Sequence, residues 1–228
     1  KKVMEKSERI HFLISASESD KLKGLVPKTV LNKDLGQKCL VVEEFKHGEH
    51  PEEIDGKLLK EIIVALSEAH KVGIKQVLTD FEGEELPASE YWNNQLESAR
   101  KYTDKLFESG TLDANDISLV GICLKTLEDL CLRKTDPPKL VMIYKDVYPP
   151  NILVDEKGGL RAIVDWDSAM SGPVELEYAI LWHRYPELWS KMKIDLDLDR
   201  DTFIVAGITQ GLRFWKSFSS DLRYVDKQ

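Results

Sequence analysis

Apolar residues recur along the chain at two different spacings, and the change of spacing separates helices from strands. From Ile54 onward Leu58, Leu59, Ile62, Ile63, Leu66 and Ala69 follow one another at three- and four-residue steps. That period puts them on one face of a helix running to about His70. A second helical stretch starts near Ser89, carries Trp92, Leu96, Ala99 and Leu106 on one side, and stops near Gly110, a residue suited to the left-handed cap. A third starts at the capping candidates Asn115 or Asp116 and carries Ile117, Val120, Leu124, Leu127 and Cys131. Towards the C-terminus, a Gly172-Pro173 break precedes a short helical run from Tyr178 to Trp182. Phe203 to Phe218 then repeats the pattern with Ile204, Val205, Ile208, Leu212 and Trp215. At the other end, Ile10, Phe12, Leu13 and Ile14 in a charged setting predict one more helix within Lys1 to Asp20.

The remaining apolar runs are short and β-branched. "VPKTV" and "KCLVVEEF" flank "LNKDLGQ", whose Asn, Asp and Gly suit a turn, so a hairpin is expected. "LVMIY" and "LRAIVDW" read as short buried strands on either side of "NILVDEKGG". The order is a small strand-bearing head, several helices, a second hairpin and more helices, which is an α+β architecture, mostly helical by mass.

Composition narrows the class without naming a chemistry. At 228 residues the chain can form one large domain, or a small lobe joined to a larger one. No apolar run approaches the ~20 residues of a membrane span, and no signal-peptide pattern opens the chain, so the expectation is a cytoplasmic protein without membrane partners. The cysteines Cys39, Cys123 and Cys131 lack CxxC spacing and partnering histidines, which argues against a zinc site or a disulfide framework. With 40 acidic and 32 basic side chains the net charge is −8, and the basic residues form no stripe; nucleic acid is not an expected partner. The oligomeric state is not legible.

The stretch "YKDVYPPNILVDEKGGLRAIVDWD", from Tyr144 to Asp167, carries the chemistry. Asp146 and Asn151 lie five residues apart in one loop, and Asp165 follows Ile163 and Val164 at a strand end. Carboxylate and amide oxygens presented from a loop and strand ends suit a hard cation such as magnesium. Each residue alone also suits a turn or a strand cap. Taken together, Asp-x4-Asn followed by a strand-end Asp fits phosphoryl transfer. That reaction needs a base to orient the attacking hydroxyl and metal ions to neutralise phosphate oxygens. Asp146 is then the catalytic base and Asn151 and Asp165 the metal ligands.

"YKDVYPPNILVDEKGGLRAIVDWDSAMSGPVELEYA" resembles the catalytic segment of the aminoglycoside phosphotransferase and choline kinase-like family, usually written HGDLHPGN…IDW. The resemblance runs from about Val26 to Ala179. It implies a protein-kinase-like fold, ATP and Mg2+ as cofactors, and a small-molecule hydroxyl as acceptor, with the γ-phosphoryl group transferred to an alcohol. "KCLVVEEFKHG" resembles the strand and hinge that hold the adenine, which assigns Glu43, Glu44 and Phe45 to the nucleotide. "LLKEIIVALSEAH" resembles the helix that follows, and "GPVELEYA" a family segment in which Glu177 stands where Asp is usual. Residues 1–47 are then the remnant of a nucleotide-binding lobe with its hinge, and residues 48–228 a helical catalytic lobe. The expected acceptor site lies among the helices from Ser89 to Cys131 and the C-terminal helices. Glu82, Glu84, Glu85, Glu90 and Glu97 there either attract an amine-bearing acceptor or form an ordinary solvated face.

This chain departs from the pattern at several places. Tyr144-Lys145 replaces His-Gly before the base, and Tyr148 replaces the second His. A tyrosine can donate a hydrogen bond from the histidine's place but cannot carry its charge. Lys145 either approaches the transferred phosphate or points to solvent, and Asp167 either supports the metal or caps a turn. No Gly-rich stretch precedes the hinge; Lys2 and Glu8 or Glu5 are the candidates for the lysine–glutamate pair of kinases. The simplest expectation is a piece of a longer kinase. "DLDLDRD" (Asp195 to Asp201) is not a calcium loop, because Arg200 takes the glycine position and Ala206 the glutamate position; it reads as a solvated turn opening the next helix. Two other readings are a kinase-like binding module without catalysis and a metal-dependent hydrolase using the same carboxylates.

Overall fold

The computed structural model describes residues 22–35, 39–72, 77–79, 85–166, 169–192 and 196–225. The helix expected over Lys1 to Asp20, with Lys2, Glu5 and Glu8, lies outside these residues, as do Glu82, Glu84 and Asp167. The chain divides into two units. One is built from residues up to Glu85 together with Lys139–Val174 and Glu187–Ile194. The other is built from Leu86–Pro138, Glu175–Pro186 and the residues from Asp195 onward.

In the first unit, β1 (Thr29–Asp34) and β2 (Cys39–Glu43) form the expected antiparallel hairpin, with Leu31 opposite Val42 and Lys33 opposite Leu40. β1 runs further into "LNKD" than the turn-forming residues suggest. Helix α1 (Gly56–Ala69) follows the predicted periodicity and buries Leu58, Leu59, Ile62, Ile63, Leu66 and Ala69. Its first turn is held by the Asp55 carboxylate, which accepts from the Leu58 N–H at 2.7 Å. Burying each of the large side chains contributes about 1.5–3 kcal/mol, so α1 is a large contributor to this unit's core. Two short strands, β3 (Val77–Thr79) and β4 (Glu85–Pro87), carry no clear pattern in the sequence.

The later strands pair differently from the expectation. β5 (Leu140–Ile143) is antiparallel to β8 (Met170–Pro173), a segment whose Gly172-Pro173 reads in the sequence as a break. Proline is tolerated there because it ends the strand, where a missing N–H costs no central ladder bond. β6 (Ile152–Val154) and β7 (Leu160–Ile163) form the second hairpin, and β7 stops at Ile163 instead of continuing to Trp166. The connecting turn is closed by the Asp155 carboxylate, which accepts from the N–H groups of Lys157 at 2.8 Å and Gly159 at 2.9 Å, with Gly158 at φ +74°. α1 reaches the hairpin through Glu61, whose Oε2 accepts from the Leu160 N–H at 2.7 Å.

The second unit is helical. α2 (Tyr91–Ser109) ends as predicted at Gly110, which takes the left-handed φ of +67°. α3 (Ala114–Arg133) is capped by Asp113, not by Asn115 or Asp116 as the sequence suggests. The Asp113 carboxylate accepts from both of their N–H groups, and Asp116 returns the bond to the Asp113 N–H. α4 (Val174–Arg184) starts earlier than Tyr178 and lies almost wholly in this unit, whereas α5 (Pro186–Lys191) belongs almost wholly to the first. α6 (Arg200–Val225) opens within the last two residues of the acidic "DLDLDRD" run, in line with the turn reading.

Asp199 caps α6. Its Oδ1 accepts from the Thr202 N–H at 2.8 Å and the Thr202 hydroxyl at 2.6 Å, and the Lys134 ammonium lies 2.9 Å away. The Thr202 hydroxyl first, and then Lys134, hold the Asp199 carboxyl down at about 2. A depressed carboxyl adds stability that is complete above its unfolded value and disappears as pH falls through the folded one. Asp199→Ala is therefore expected to lose about 1 kcal/mol at neutral pH, the usual worth of an N-cap. The gap between variant and wild type should close between pH 4 and the folded value of about 2, as read by urea denaturation across that range.

Candidate active site

Two of the three residues singled out, Asp146 and Asn151, are tied by hydrogen bonds to each other and to Val164, the residue before the third. Asn151 ends a short 3-10 turn, Pro149–Asn151, that leads straight into β6. Its Nδ2 donates to the Asp146 carbonyl oxygen at 3.0 Å. Its own carbonyl accepts from the Val164 N–H at 2.9 Å, and its N–H is bound to the Tyr148 carbonyl. The Val164 carbonyl in turn accepts from the Tyr144 hydroxyl. The ring closes where the Asp146 N–H reaches the Tyr144 carbonyl at 2.9 Å. Asp146, Asn151 and the residue before Asp165 thus lie on one closed circuit of hydrogen bonds. Asp146 and Asn151 are half-buried and Asp165 is exposed.

Two residues of this circuit's loops adopt left-handed backbone conformations that side chains disfavour: Lys145 at φ +57° and Asp165 at φ +58°. Lys145 stands where the resembled motif has glycine, so the position keeps glycine's conformation without glycine. Its side chain is half-buried and does not simply extend into solvent; the Nζ lies 3.5 Å from the Met170 Sδ at the start of β8. Tyr144 is fully buried, and its ring packs at 4.7 Å, centroid to centroid, on Trp166, whose indole N–H donates to the Ile163 carbonyl at 2.9 Å. The phenol therefore takes the bracing place expected of a motif histidine, and does so as a neutral donor.

The donor set suits a hard cation in one specific respect. Because the Asn151 amide nitrogen is spent on the Asp146 carbonyl, its Oδ1 is the atom left to face a metal, and oxygen is what magnesium prefers. Among the described residues no group of three or more His, Cys, Asp or Glu side chains is placed to hold a metal; the set here is two carboxylates and an amide.

The residues assigned to the nucleotide lie at the end of β2. Glu43 is half-buried, and Glu44 and Phe45 are exposed. The Glu44 N–H donates to the Lys28 carbonyl at 2.8 Å, and its carboxyl is lowered chiefly by the hydrogen bond and charge of Lys46. The Phe45 ring meets His47 edge-on at 5.0 Å. The segment then locks onto β6. Glu49 and Val154 exchange both backbone bonds at 2.9 and 3.1 Å, and a side chain at Gly48 would put its Cβ 2.9 Å from the Leu153 Cβ. Gly48 is a position that sequence reasoning missed. Its signal was present as a lone glycine directly after the proposed hinge. Of the acidic residues considered for an amine-bearing acceptor, Glu90 precedes α2 and Glu97 lies on it, in the second unit.

The chain matches the model of the phosphotransferase enzyme family over residues 14–213. No curated protein sequence matches it significantly. Among solved structures it resembles a thermostable mutant of aminoglycoside phosphotransferase APH(4)-Ia in ternary complex with ADP and hygromycin B, with a TM-score of 0.59 and 14% identity over 96% of this chain and 77% of that one. It also resembles aminoglycoside phosphotransferase APH(4)-Ia itself, with a TM-score of 0.58, 14% identity and coverage of 96% and 77%. These likenesses place the fold as protein-kinase-like and α+β, in line with the reading of the sequence.

One substitution tests the brace. Tyr144→Phe keeps the ring on Trp166 and removes only the hydroxyl, leaving the Val164 carbonyl short of its donor. The expected loss is about 1–3 kcal/mol of unfolding free energy, the usual cost of an unmet buried hydrogen bond, measured by guanidinium denaturation. A variant as stable as wild type would show that the bond carries no weight. The match over residues 14–213 covers well over half of the 228-residue chain, and with the motif and fold in agreement the protein belongs to the phosphotransferase enzyme family.

Proposed function

We propose that the chain transfers the γ-phosphoryl group of ATP to a hydroxyl of a small molecule. The observation that carries this reading is the bond from the Asn151 amide to the Asp146 carbonyl, closed through Val164 to Tyr144. It holds a candidate base and a candidate metal ligand in fixed relation within one loop. Family membership supports the reaction class, and the fold neighbour bound to ADP and hygromycin B supports a nucleotide and a hydroxyl-bearing small molecule as the two substrates.

In this reading Asp146 accepts the proton of the acceptor hydroxyl as its oxygen attacks the γ-phosphorus and the bond to the bridging oxygen of ADP breaks. Asn151 Oδ1 and the Asp165 carboxylate would hold Mg2+, and the ion would supply charge neutralisation for the phosphate oxygens. Glu43, Glu44 and Phe45 border the nucleotide, with residues 1–47 belonging to the nucleotide-binding lobe and residues 48–228 to the catalytic lobe. The acceptor meets the helices from Ser89 to Cys131 and the C-terminal helices, and an amine-bearing compound suits the acidic surface implied by a net charge of −8. A cytoplasmic setting fits this use of ATP; among the described residues no helix is long and apolar enough to cross a membrane.

The competing reading is a kinase-like module that binds without catalysis, and the feature favouring it is the replacement of the motif's His-Gly by Tyr144 and a left-handed Lys145. Asp146→Asn and Asp165→Ala separate the two. Under the enzyme reading, Asp146→Asn lowers kcat by roughly 10²–10⁴-fold, the usual worth of a general base, with nucleotide binding retained. Asp165→Ala abolishes magnesium-dependent nucleotide binding in calorimetric titration. Binding without turnover in the wild type, across a panel of aminoglycosides and other amino alcohols, would establish the module instead. Release of inorganic phosphate without any acceptor would establish the hydrolase.

A further inference from the structure

Four buried side-chain atoms of the second unit find no hydrogen-bond partner among the described residues, and all of them sit on two helices that pack side by side. They are Tyr91 Oη, Gln95 Oε1 and Thr103 Oγ1 on α2, and Gln210 Nε2 on α6. None of these residues is more than 3% exposed. Buried polar atoms are nearly always paired, with protein or with ordered water. A cluster of exceptions at one helix seam therefore calls for a partner that is not protein.

The seam also has room. Tyr91, Gln95, Ala99 and Thr103 lie one turn apart along one face of α2, and Ala99, fully buried, offers only a methyl group at the middle of the row. On α6, Ala206, fully buried one turn before Gln210 on the same face, likewise offers only a methyl group.

The two features coincide along the helices. Both helices start at one corner. The Lys134 ammonium lies 5.9 Å above the Trp92 ring at the head of α2 and 2.9 Å from the Asp199 carboxylate that caps α6. At 1.5 Å of rise per residue, Gln95, Ala99 and Thr103 stand about 6, 12 and 18 Å from the head of α2, and Ala206 and Gln210 about 9 and 15 Å from the head of α6. Ala206 and Gln210 thus come level with Ala99, between Gln95 and Thr103.

We propose that the α2–α6 seam is a binding site for ordered water. The atom types select this ligand. Gln95 Oε1 only accepts, the Gln210 amide nitrogen only donates, and the Tyr91 and Thr103 hydroxyls do both. A metal ion has no use for the amide N–H groups, and an anion has none for the carbonyl oxygen; water serves all four. The Gln210 amide is oriented by Arg213, whose Nη1 donates to Oε1 at 3.4 Å, leaving Nε2 to turn away. A buried water makes about three such bonds and is costly to remove. The seam lies on helices that the acceptor reading also draws on, but the water site does not depend on that reading.

A high-resolution crystal structure of the chain, together with the melting temperatures of Gln95→Leu and Thr103→Val, tests the proposal. Density for one or more waters bonded to at least two of the four atoms is expected. With water present, each variant takes a partner from it, and both melt several degrees lower. A dry seam overturns the proposal; there each variant removes an unmet polar atom, and both melt higher. Density in which Gln95 pairs directly with Gln210 also overturns it.

Discussion

The peptide of Val164 is the joint on which the candidate site depends. Its N–H is held by the Asn151 carbonyl and its C=O by the Tyr144 hydroxyl, so it is fixed from both sides by the loop that carries Asp146. The next residue, Asp165, sits at φ +58°. A left-handed non-glycine residue persists only where its surroundings over-determine it. Here the determination comes from the preceding peptide. With either bond missing, the chain after β7 would relax towards an ordinary extended conformation, and the direction of the Asp165 side chain would change with it.

That joint needs a stable hairpin beneath it, and β6 and β7 are too short to be stable alone. They are held by neighbours. Glu61 of α1 satisfies the Leu160 N–H, Glu49 exchanges both backbone bonds with Val154, and the Leu25 carbonyl accepts from the Ile163 N–H at 2.8 Å. The missing side chain of Gly48 is what lets the segment after β2 approach the Leu153 Cβ so closely. One hairpin therefore links the segment proposed for the nucleotide with the loop proposed for the chemistry, and both belong to the same unit.

How much of this was legible in the sequence follows from the range of each interaction. The helices could be read because their apolar faces recur within a few residues, and α1 and α2 match that reading closely. The hairpin after Asp146 could be read because its two strands and their turn fall within about twelve residues of sequence. β8 could not, because Gly172-Pro173 has the composition of a break and becomes a strand only when β5 lies beside it. The α3 cap was displaced because Asp113, Asn115 and Asp116 are all good capping residues, and only the reciprocal bond between Asp113 and Asp116 chooses among them. The Tyr144 brace spans 20 residues of sequence and depends on the fold to bring it to Val164. The polar seam was hidden for a related reason. Tyr91, Gln95 and Thr103 at helical spacing look like a solvated face until a second helix covers them.

The departures from the family motif bear directly on whether the loop is a working site. Lys145 and Asp165 both occupy left-handed conformations, each at a cost of about 1–3 kcal/mol, and the bonds around them contribute roughly 0.5–1.5 kcal/mol apiece. The local balance is therefore near even, and burial of the Tyr144 and Trp166 rings tips it. Replacing a histidine with a tyrosine gives up a charge but gains a larger apolar body against Trp166, which fits a position whose task is to hold a carbonyl still. A loop altered in this way keeps the hydrogen bonds that tie Asn151 to Asp146 and Tyr144 to Val164, and the changes at Tyr144 and Lys145 are ones the fold absorbs.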